Sequence, residues 1–396
     1  TTLSLVNGLA SVSSTGTERE NGLLIDGGSL VLPSGDQTIS GPWIFQTTNG
    51  VINGNLTVTD NGSVGTHFLV VETKAQLRRC DLTVTGDMTV NKGAYVYARR
   101  GGYSKADASL PGGASRSVHG GQNGYTTGIA AYDSIVSPNE GGAFGNDIGR
   151  ANYGGGAVKL TVGGTLTLNG EMLATPVCSD SRPGAGGSID VTAAQLVGDG
   201  SISANGTMRD YFVDSTSDRG ASGGGRVAVK LTDPTAVISD EWRARVNAMG
   251  TTPKASKMTA SDASSAGTVF LRDSTGESLI VRNDNNAANT VAFTSIPSLT
   301  SGGESDELKA ARLNIEGRSI VKLADDLKMS ALTMVADTKL DLNGKTLTVY
   351  RAKLGDTKLK VGTYAADNEA IAGFVSDSVD GGSLVVKPVG IKLIFR

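Results

Sequence analysis

Gly154-Gly-Gly-Ala-Val-Lys-Leu-Thr-Val162 decides the fold, because the chain writes it again. Gly186-Gly-Ser-Ile-Asp-Val-Thr-Ala193, Gly223-Gly-Gly-Arg-Val-Ala-Val-Lys-Leu231 and, more faintly, Gly267-Thr-Val-Phe-Leu-Arg272 repeat the pattern. In the first copies small residues lead into a run that alternates apolar and polar side chains, the period-two pattern of a strand with one buried face, and the last copy keeps the strand while its alternation fades. The last glycines before these strands are Gly156, Gly187, Gly225 and Gly267, at intervals of 31, 38 and 42 residues. A second echo sits later in each unit: Val96-Tyr-Ala98, Met172-Leu-Ala174, Ile202-Ser-Ala204 and Val246-Asn-Ala248. A constant strand core at irregular intervals is what a stacked repeat gives when each unit carries its own loop at one corner.

This pattern predicts an all-β chain, a right-handed parallel β-helix (β-solenoid) with variable Gly-rich loops at one corner. Val158, Leu160 and Val162 are then expected to point inward and stack on Ile189 and Val191, then on Val227 and Val229, then on Val269 and Leu271. The outward side chains form two rows, Lys159-Asp190-Ala228-Phe270 and Thr161-Thr192-Lys230-Arg272. Ala and Gly belong where the backbone turns a corner and leaves little room. About a dozen coils at the ordinary ~4.8 Å strand spacing would make a rod roughly 55–60 Å long. A β-sandwich also has regular turns, but it does not explain the repeated glycine-strand echo.

Working outward, Asn-Gly and Asp-Gly pairs recur along the chain, from Asn7 and Asp26 to Asn343 and Asp380, and supply the positive φ of tight turns. Short alternating runs such as Leu56-Thr-Val-Thr59, Leu82-Thr-Val-Thr85 and Leu347-Thr-Val349 stand between them. Helical turns are expected only around Asp240 to Met249 and Glu304 to Arg312. The organisation reads as N-terminal strands and first coils over 1–100, and a long Gly- and Tyr-rich insertion over 101–155. The β-helix repeats come next over 156–285, then C-terminal coils and a capping segment over 286–396. The insertion is expected to fold against the wall with its aromatics as anchors, or to form a ligand surface.

Composition narrows the classes. The 396 residues include 54 Gly and 10 Pro without a Gly-X-Y period, which excludes a collagen-like chain. No run reaches the ~18 apolar residues of a membrane span, so none is expected. With 36 Lys and Arg against 39 Asp and Glu the net charge is −3, and no basic block exists to neutralise a phosphate backbone. Nucleic acid is therefore not an expected partner. Cys80 and Cys178 lack C-x-x-C spacing, and sequence leaves open whether they are bridged. The chain begins Thr1-Thr2-Leu3, as a mature protein does after signal cleavage, so export is expected.

The order His119-Gly-Gly, Tyr132-Asp-Ser-Ile, Gly154-Gly-Gly-Ala-Val, Gly184-Ala-Gly-Gly-Ser-Ile-Asp-Val, Ile202-Ser-Ala-Asn-Gly206 and Gly223-Gly-Gly-Arg-Val-Ala-Val resembles the glycine-rich β-solenoid repeats of large bacterial extracellular proteins. The resemblance covers residues 90 to 231. Leu340-Asp-Leu-Asn-Gly-Lys-Thr-Leu-Thr-Val349, with Gly362-Thr-Tyr364, Gly373-Phe374 and Gly382-Ser-Leu-Val-Val386, is similar to the closing segment of autotransporter-passenger-like surface proteins. The resemblance implies a secreted or surface β-helix and transfers no catalytic signature.

A search for chemistry gives little. Glycoside hydrolysis needs two carboxylates on one surface at a set separation, and the outward rows hold no carboxylate stack. Asp325 and Asp326 are adjacent, which sends them to opposite faces, and Glu18 and Glu20 flank Arg19 in a polar stretch; both pairs read as solvated surface. Gly220-Ala-Ser-Gly-Gly224 matches G-x-S-x-G but precedes a strand instead of forming the strand-to-helix elbow, so Ser222 is not expected to be a nucleophile. His67 and His119, 52 residues apart, do not suggest a metal centre. His119 reads as a packing or hydrogen-bonding residue; Asp210, Asp214 and Asp218 offer the clustered oxygens that a hard cation such as Ca²⁺ favours, but their spacing fits neither an EF-hand nor an RTX repeat. No catalytic residue, cofactor or metal ligand is assigned.

Thr1-Thr-Leu-Ser-Leu-Val6 and Ile391-Lys-Leu-Ile-Phe-Arg396 place strand-forming residues at the very ends, where a stacked repeat exposes unpaired edges. They either fold back as caps or add to a neighbouring copy by strand addition. The expectation is a secreted, non-enzymatic structural protein of the cell surface or extracellular matrix that self-assembles into filaments with copies of itself. Leu3, Leu5, Ile391, Leu393 and Phe395 are the expected assembly contacts. The competing reading is a β-helix that binds or cleaves surface glycans, with Tyr103, Tyr125, Tyr132 and Tyr153 as stacking platforms.

Overall fold

The computed structural model describes residues 2–13, 16–26, 29–32, 34–39, 42–46, 48–59, 63–65, 79–98, 101–103, 118–122, 131–145, 153–176, 184–206, 221–251, 264–283, 292–298, 303–376 and 380–389. The chain is mostly β, and its large sheets are mostly parallel. Three rows of strands recur along its first part. The first row runs through Ser29–Leu32, Thr48–Ile52, Arg79–Val84, Ala157–Leu168, Ser188–Val197, Arg226–Leu231 and Thr268–Asp273, each parallel to the next. The second joins Gln37–Ile39, Leu56–Val58 and Met88–Val90 to the far ends of Ala157–Leu168 and Ser188–Val197. The third runs from Pro42–Gln46 through Ser63–Gly65, Tyr95–Tyr97, Glu171–Leu173 and Ser201–Ser203 to Val246–Asn247.

The register is the one the echoes predict. Val158 pairs with Ile189, Ile189 with Val227 and Val227 with Val269; Leu160, Val191, Val229 and Leu271 do the same two residues on. Val96, Met172, Ile202 and Val246 align in the third row. These side chains are buried in one continuous apolar cluster, because identical alternation in stacked parallel strands sends the same face inward each time. Ala98, Ala174, Ala204 and Ala248 come directly after the third row, and their carbonyls accept the N–H of Gly156, Gly187, Gly225 and Gly267 at 2.6–2.8 Å. Between the first two rows the corner is stitched by polar side chains: Asn55 Nδ2 donates to Asp36, Asp87 N to Asn55 Oδ1, and Thr165 N to Asp87 Oδ1 at 2.7 Å.

The far end of this cluster is closed by helix α1 (Asp240–Arg245), in the first of the two places where a helical turn is expected. Ser239 caps it by accepting from Trp242 N, acidic Asp240 and Glu241 occupy the first turn, and Arg243 and Arg245 the last, the arrangement that suits the helix dipole. Trp242 is buried in the apolar cluster and carries the Arg245 guanidinium over its ring at 4.5 Å. Trp242→Ala is expected to cost about 3–5 kcal/mol, because it opens a cavity at the end of the stack that no neighbour can fill; urea unfolding followed by circular dichroism measures it.

The single uninterrupted stack expected from the repeats ends at Thr268–Asp273. That strand turns through Ser274 and Thr275 into Gly276–Arg282, which pairs with it antiparallel. From there the sheet continues in parallel through Ala311–Glu316, Ala331–Met334 and Ala352–Leu354, but with the chain running the other way. Side chains change sides with it. Val269, Leu271 and Ile280 belong to the first cluster, whereas Phe270, Leu279 and Val281 open a second one that contains Leu313, Ile315, Leu332 and Leu347. One sheet thus walls two cores on opposite faces. The reversal is invisible to periodicity because Val269-Phe-Leu271 is apolar on both faces. Repeats in the second part are shorter, with Leu313 and Leu332 paired 19 residues apart, and α2 (Glu304–Glu307) precedes them.

A second layer covers the first row. The extended glycine segments hydrogen-bond to neighbours in more than one direction: Gly142 N donates to Gly155 O, Gly155 N to Ala185 O, Ala185 N to Ala143 O, Gly121 N to Gly224 O and Gly224 N to Ser265 O, all at 2.8–3.1 Å. Residues from the 101–155 insertion therefore lie on the sheet wall. Of the row expected to face outward, Lys159 is exposed, whereas Asp190, Ala228 and Phe270 are buried beneath a segment whose Ile135 and Val136 pack into the second cluster.

At the N-terminus β1 (Thr2–Ser13) folds back antiparallel on β2 (Gly16–Asp26), with Leu3 opposite Ile25 and Leu5 opposite Leu23, and β2 joins the third row at Pro42–Gln46. The end strand is thus paired within its own chain on one side. Ile391, Leu393 and Phe395 lie outside the described residues.

Candidate functional site

The densest set of buried polar side chains lies between the glycine layer and the first row. Its origin is one register column: Ala157, Ser188, Arg226 and Thr268 stand opposite one another in successive strands. Three of the four are polar, and all are buried. Facing them, the segment 131–145 supplies Asp133, a residue with φ of 72°, a backbone conformation that Asp tolerates better than most side chains.

Asp133 is a hydrogen-bond hub. It accepts from Ser134 N at 2.8 Å, Asn139 N at 2.9 Å, Glu140 N at 3.0 Å and the Ser188 hydroxyl at 2.7 Å, and His119 Nε2 lies 3.2 Å away. Burial pushes this carboxyl up, but the bonds from His119, Ser188 and the Glu140 backbone outweigh it and hold it below the usual Asp range. His119 Nδ1 lies 2.8 Å from Gly186 O, so the imidazole faces an acceptor at both nitrogens. Its ring stacks on Tyr132 with centroids 4.8 Å apart.

Arg226 is fully buried beside this hub. Nε donates to Tyr132 O at 2.8 Å and Nη1 to Thr268 Oγ1 at 2.9 Å, while Nη2 has no hydrogen-bond partner among the described residues. Burial lowers the guanidinium's pKa, and the nearby Glu304 and Asp133 charges oppose that shift. Glu304, at the start of α2, accepts Ile135 N and Ser298 N at 2.5 Å each. Burial raises its carboxyl in spite of Arg226 and these bonds. Lys230 completes the clamp from the sheet side, with Nζ 2.6 Å from Asp190 and donating to Val136 O at 3.1 Å. The cluster ties the first stack, its glycine cover and the second stack together.

The same geometry limits its chemistry. The Ser188 hydroxyl donates to Asp133 and not to His119, and both imidazole nitrogens already face acceptors, so the arrangement lacks the nucleophile-to-base bond of an acyl-transfer site. Ser222 is buried in the segment leading into Arg226–Leu231, and its N–H donates to Thr251 Oγ1 at 2.8 Å. Cys80 is buried and its thiol is pushed up to about 12 by burial and then by Asp81, which leaves it unreactive. Among the described residues, no group of three or more His, Cys, Asp or Glu is placed to hold a metal ion, and no helix is long and apolar enough to cross a membrane.

The tyrosines expected as stacking platforms part company. Tyr132 is fully buried and donates to Gly141 O at 2.7 Å; Tyr103 is buried too, packs edge-on against it at 6.5 Å and donates to Glu140 at 2.5 Å. Neither ring offers a face to a glycan, because the glycine layer needs both as anchors. Tyr153 is half-buried, and Tyr125 lies outside the described residues, as do Cys178, His67 and the aspartates at 210, 214 and 218. Asp325 and Asp326 are surface groups as expected, and Asp326 accepts Thr346 N of the next repeat.

Sequence reading passed over Asp133, Ser188 and Arg226. The signal that could have found two of them was the register column itself, where an Arg stands in line with Ala, Ser and Thr. No protein-family model, curated protein or solved structure matches this chain.

Proposed function

We propose that the chain is a right-handed parallel β-helix, built as two stacks of opposite chain direction, and that it works as a secreted, non-enzymatic structural protein of a cell surface or extracellular matrix. The observation that carries this reading is the use of the buried polar groups: Asp133 and His119 bond each other, and both, with Arg226, Glu304 and Lys230, are tied to backbone or side-chain groups of neighbouring layers. Such a network favours rigidity and a single arrangement over turnover. Long, mostly parallel sheets on each side of the single reversal at Ser274 and Thr275 are the build of an extended rod.

Self-assembly by strand addition belongs to the same reading. Among the described residues, the 12-residue β1 ends the eight-stranded sheet with one edge unpaired, whereas the 15-stranded sheet ends on the two-residue strand Thr357–Lys358, whose Lys358 stands opposite Lys353. Short, charged edges resist pairing and long ones invite it. Electron microscopy of the full chain beside a chain lacking residues 1–26 tests this. Filaments lost on truncation are the expected result; isolated rods from the full chain would defeat the assembly reading.

A further inference from the structure

Beyond α1 the large sheet leaves Arg312 exposed and Asn314 and Thr333 partly exposed on one face. A groove of about 760 Å³ opens there, walled by α1 and the residues before it and floored by the strands Gly276–Arg282, Ala311–Glu316 and Ala331–Met334. Its volume is that of a small-ligand site, within the usual ~300–1,000 Å³. The floor is ordered in rows by the strand register. Ser278 stands opposite Arg312, and Ile280, Asn314 and Thr333 form the next row.

The charges of this groove are unevenly matched. Arg243 lies 3.4 Å from Asp273, and Arg282 lies 3.8 Å from Glu316 while donating to the Val246 carbonyl and Asn247. Both are held in the wall. Arg312 differs: among the described residues its hydrogen bonds go only from Nη2 to Thr275 O and Oγ1, at 3.3 and 3.5 Å, and no carboxylate pairs with it. Asp240, the remaining acid of the groove, is fully exposed at the rim and 4.0 Å from Arg243. The floor thus presents one uncompensated guanidinium beside the amide of Asn314 and the hydroxyl of Thr333, with Ser278 and Ile280 buried beneath.

We propose that this groove binds a carboxylated sugar as part of a short oligosaccharide laid across the strands. A planar guanidinium takes a carboxylate in a two-pronged, charge-assisted pair. Asn314 and Thr333 supply donors and acceptors for ring hydroxyls, and the exposed Val237 on the wall supplies a surface for the apolar face of a pyranose. The ~4.8 Å step between strands repeats polar groups on about the scale of successive sugar residues. The site needs only the sheet face and α1, so it stands or falls apart from filament assembly.

Isothermal titration of the full chain tests it with trigalacturonate, its neutral methyl ester, and sialyllactose as a carboxylated sugar of another source. Binding by at least one of the two acids is expected, and which one binds identifies the source. Arg312→Gln should weaken that binding about 10- to 100-fold, the effect of losing one charge-assisted pair. When trigalacturonate binds, esterification should weaken it comparably. Arg272→Gln, which removes a surface arginine paired with Glu277 outside the groove, should leave affinity unchanged. Neither acid binding up to about 5 mM, an ester that binds as well as the acid, or an unaltered affinity in Arg312→Gln would each overturn the proposal. Equal melting curves for the variants and the parent chain exclude misfolding as the cause.

Discussion

Gly225→Ala is expected to be a severely damaging single-methyl change, as at the other glycines packed backbone to backbone in this layer. A Cβ built at residue 225 would sit 2.0 Å from Gly187 O and 2.7 Å from Gly186 C, atoms of the neighbouring strand's backbone. No flexible side chain can move aside, so the two strands must part. Parting them stretches the Arg226 N to Gly187 O bond of 2.9 Å and lifts Val227 off Ile189 at the centre of the first cluster. Overpacking of this kind costs about 3 kcal/mol or more. Gly303 provides the contrast: its φ is +85° and nothing lies within 4 Å of an added Cβ, so Gly303→Ala should cost only about 1 kcal/mol of backbone strain. Urea unfolding of the two variants separates steric from conformational demand. Equal midpoints would mean that the strands at 187 and 225 are not in contact.

Asp133→Asn is expected to be comparably damaging. The substitution keeps the size of the side chain and tolerates the positive φ, so what it removes is charge and acceptor capacity. An amide oxygen cannot serve the N–H groups of Ser134, Asn139 and Glu140 together with the Ser188 hydroxyl and His119, and its NH₂ group would face donors. Breaking a buried, hydrogen-bonded charge pair by changing one partner costs about 3–5 kcal/mol. The pH dependence has a definite sign. The folded-state pKa of Asp133 lies below its unfolded value, so its contribution is fully present above the unfolded value of ~3.9 and is lost as pH falls below that towards the folded value. The parent chain should therefore lose stability more steeply than Asp133→Asn below about pH 4. Parallel acid-unfolding curves would remove Asp133 from the clamp.

These effects bear on how the chain conveys its fold. Local alternation and the glycine echoes were enough to place Val158, Ile189, Val227 and Val269 in one row, because a strand's period of two leaves a single register that buries every apolar side chain. The same logic located the corner alanines, and the loss of period-two alternation around Asp240 to Met249 marked the place of α1. The candidate clamp was less legible. Asp133 contacts Ser188 across 55 residues and Arg226 reaches Tyr132 across 94, and no local pattern encodes such pairs.

The sequence by itself determined the all-β composition, the pairing register of the first stack, and the points where loops enter. Only the tertiary structure decided that the sheet reverses at Ser274 and Thr275, that the glycine layer covers the row from Asp190 to Phe270, and that Tyr103 and Tyr132 are anchors. The reason is physical. Register is set by side-chain alternation, which each strand carries locally. Covering a face or turning a sheet depends on what a distant segment can bury, and that is settled only when Ile135, Phe270 and Leu279 meet in one core.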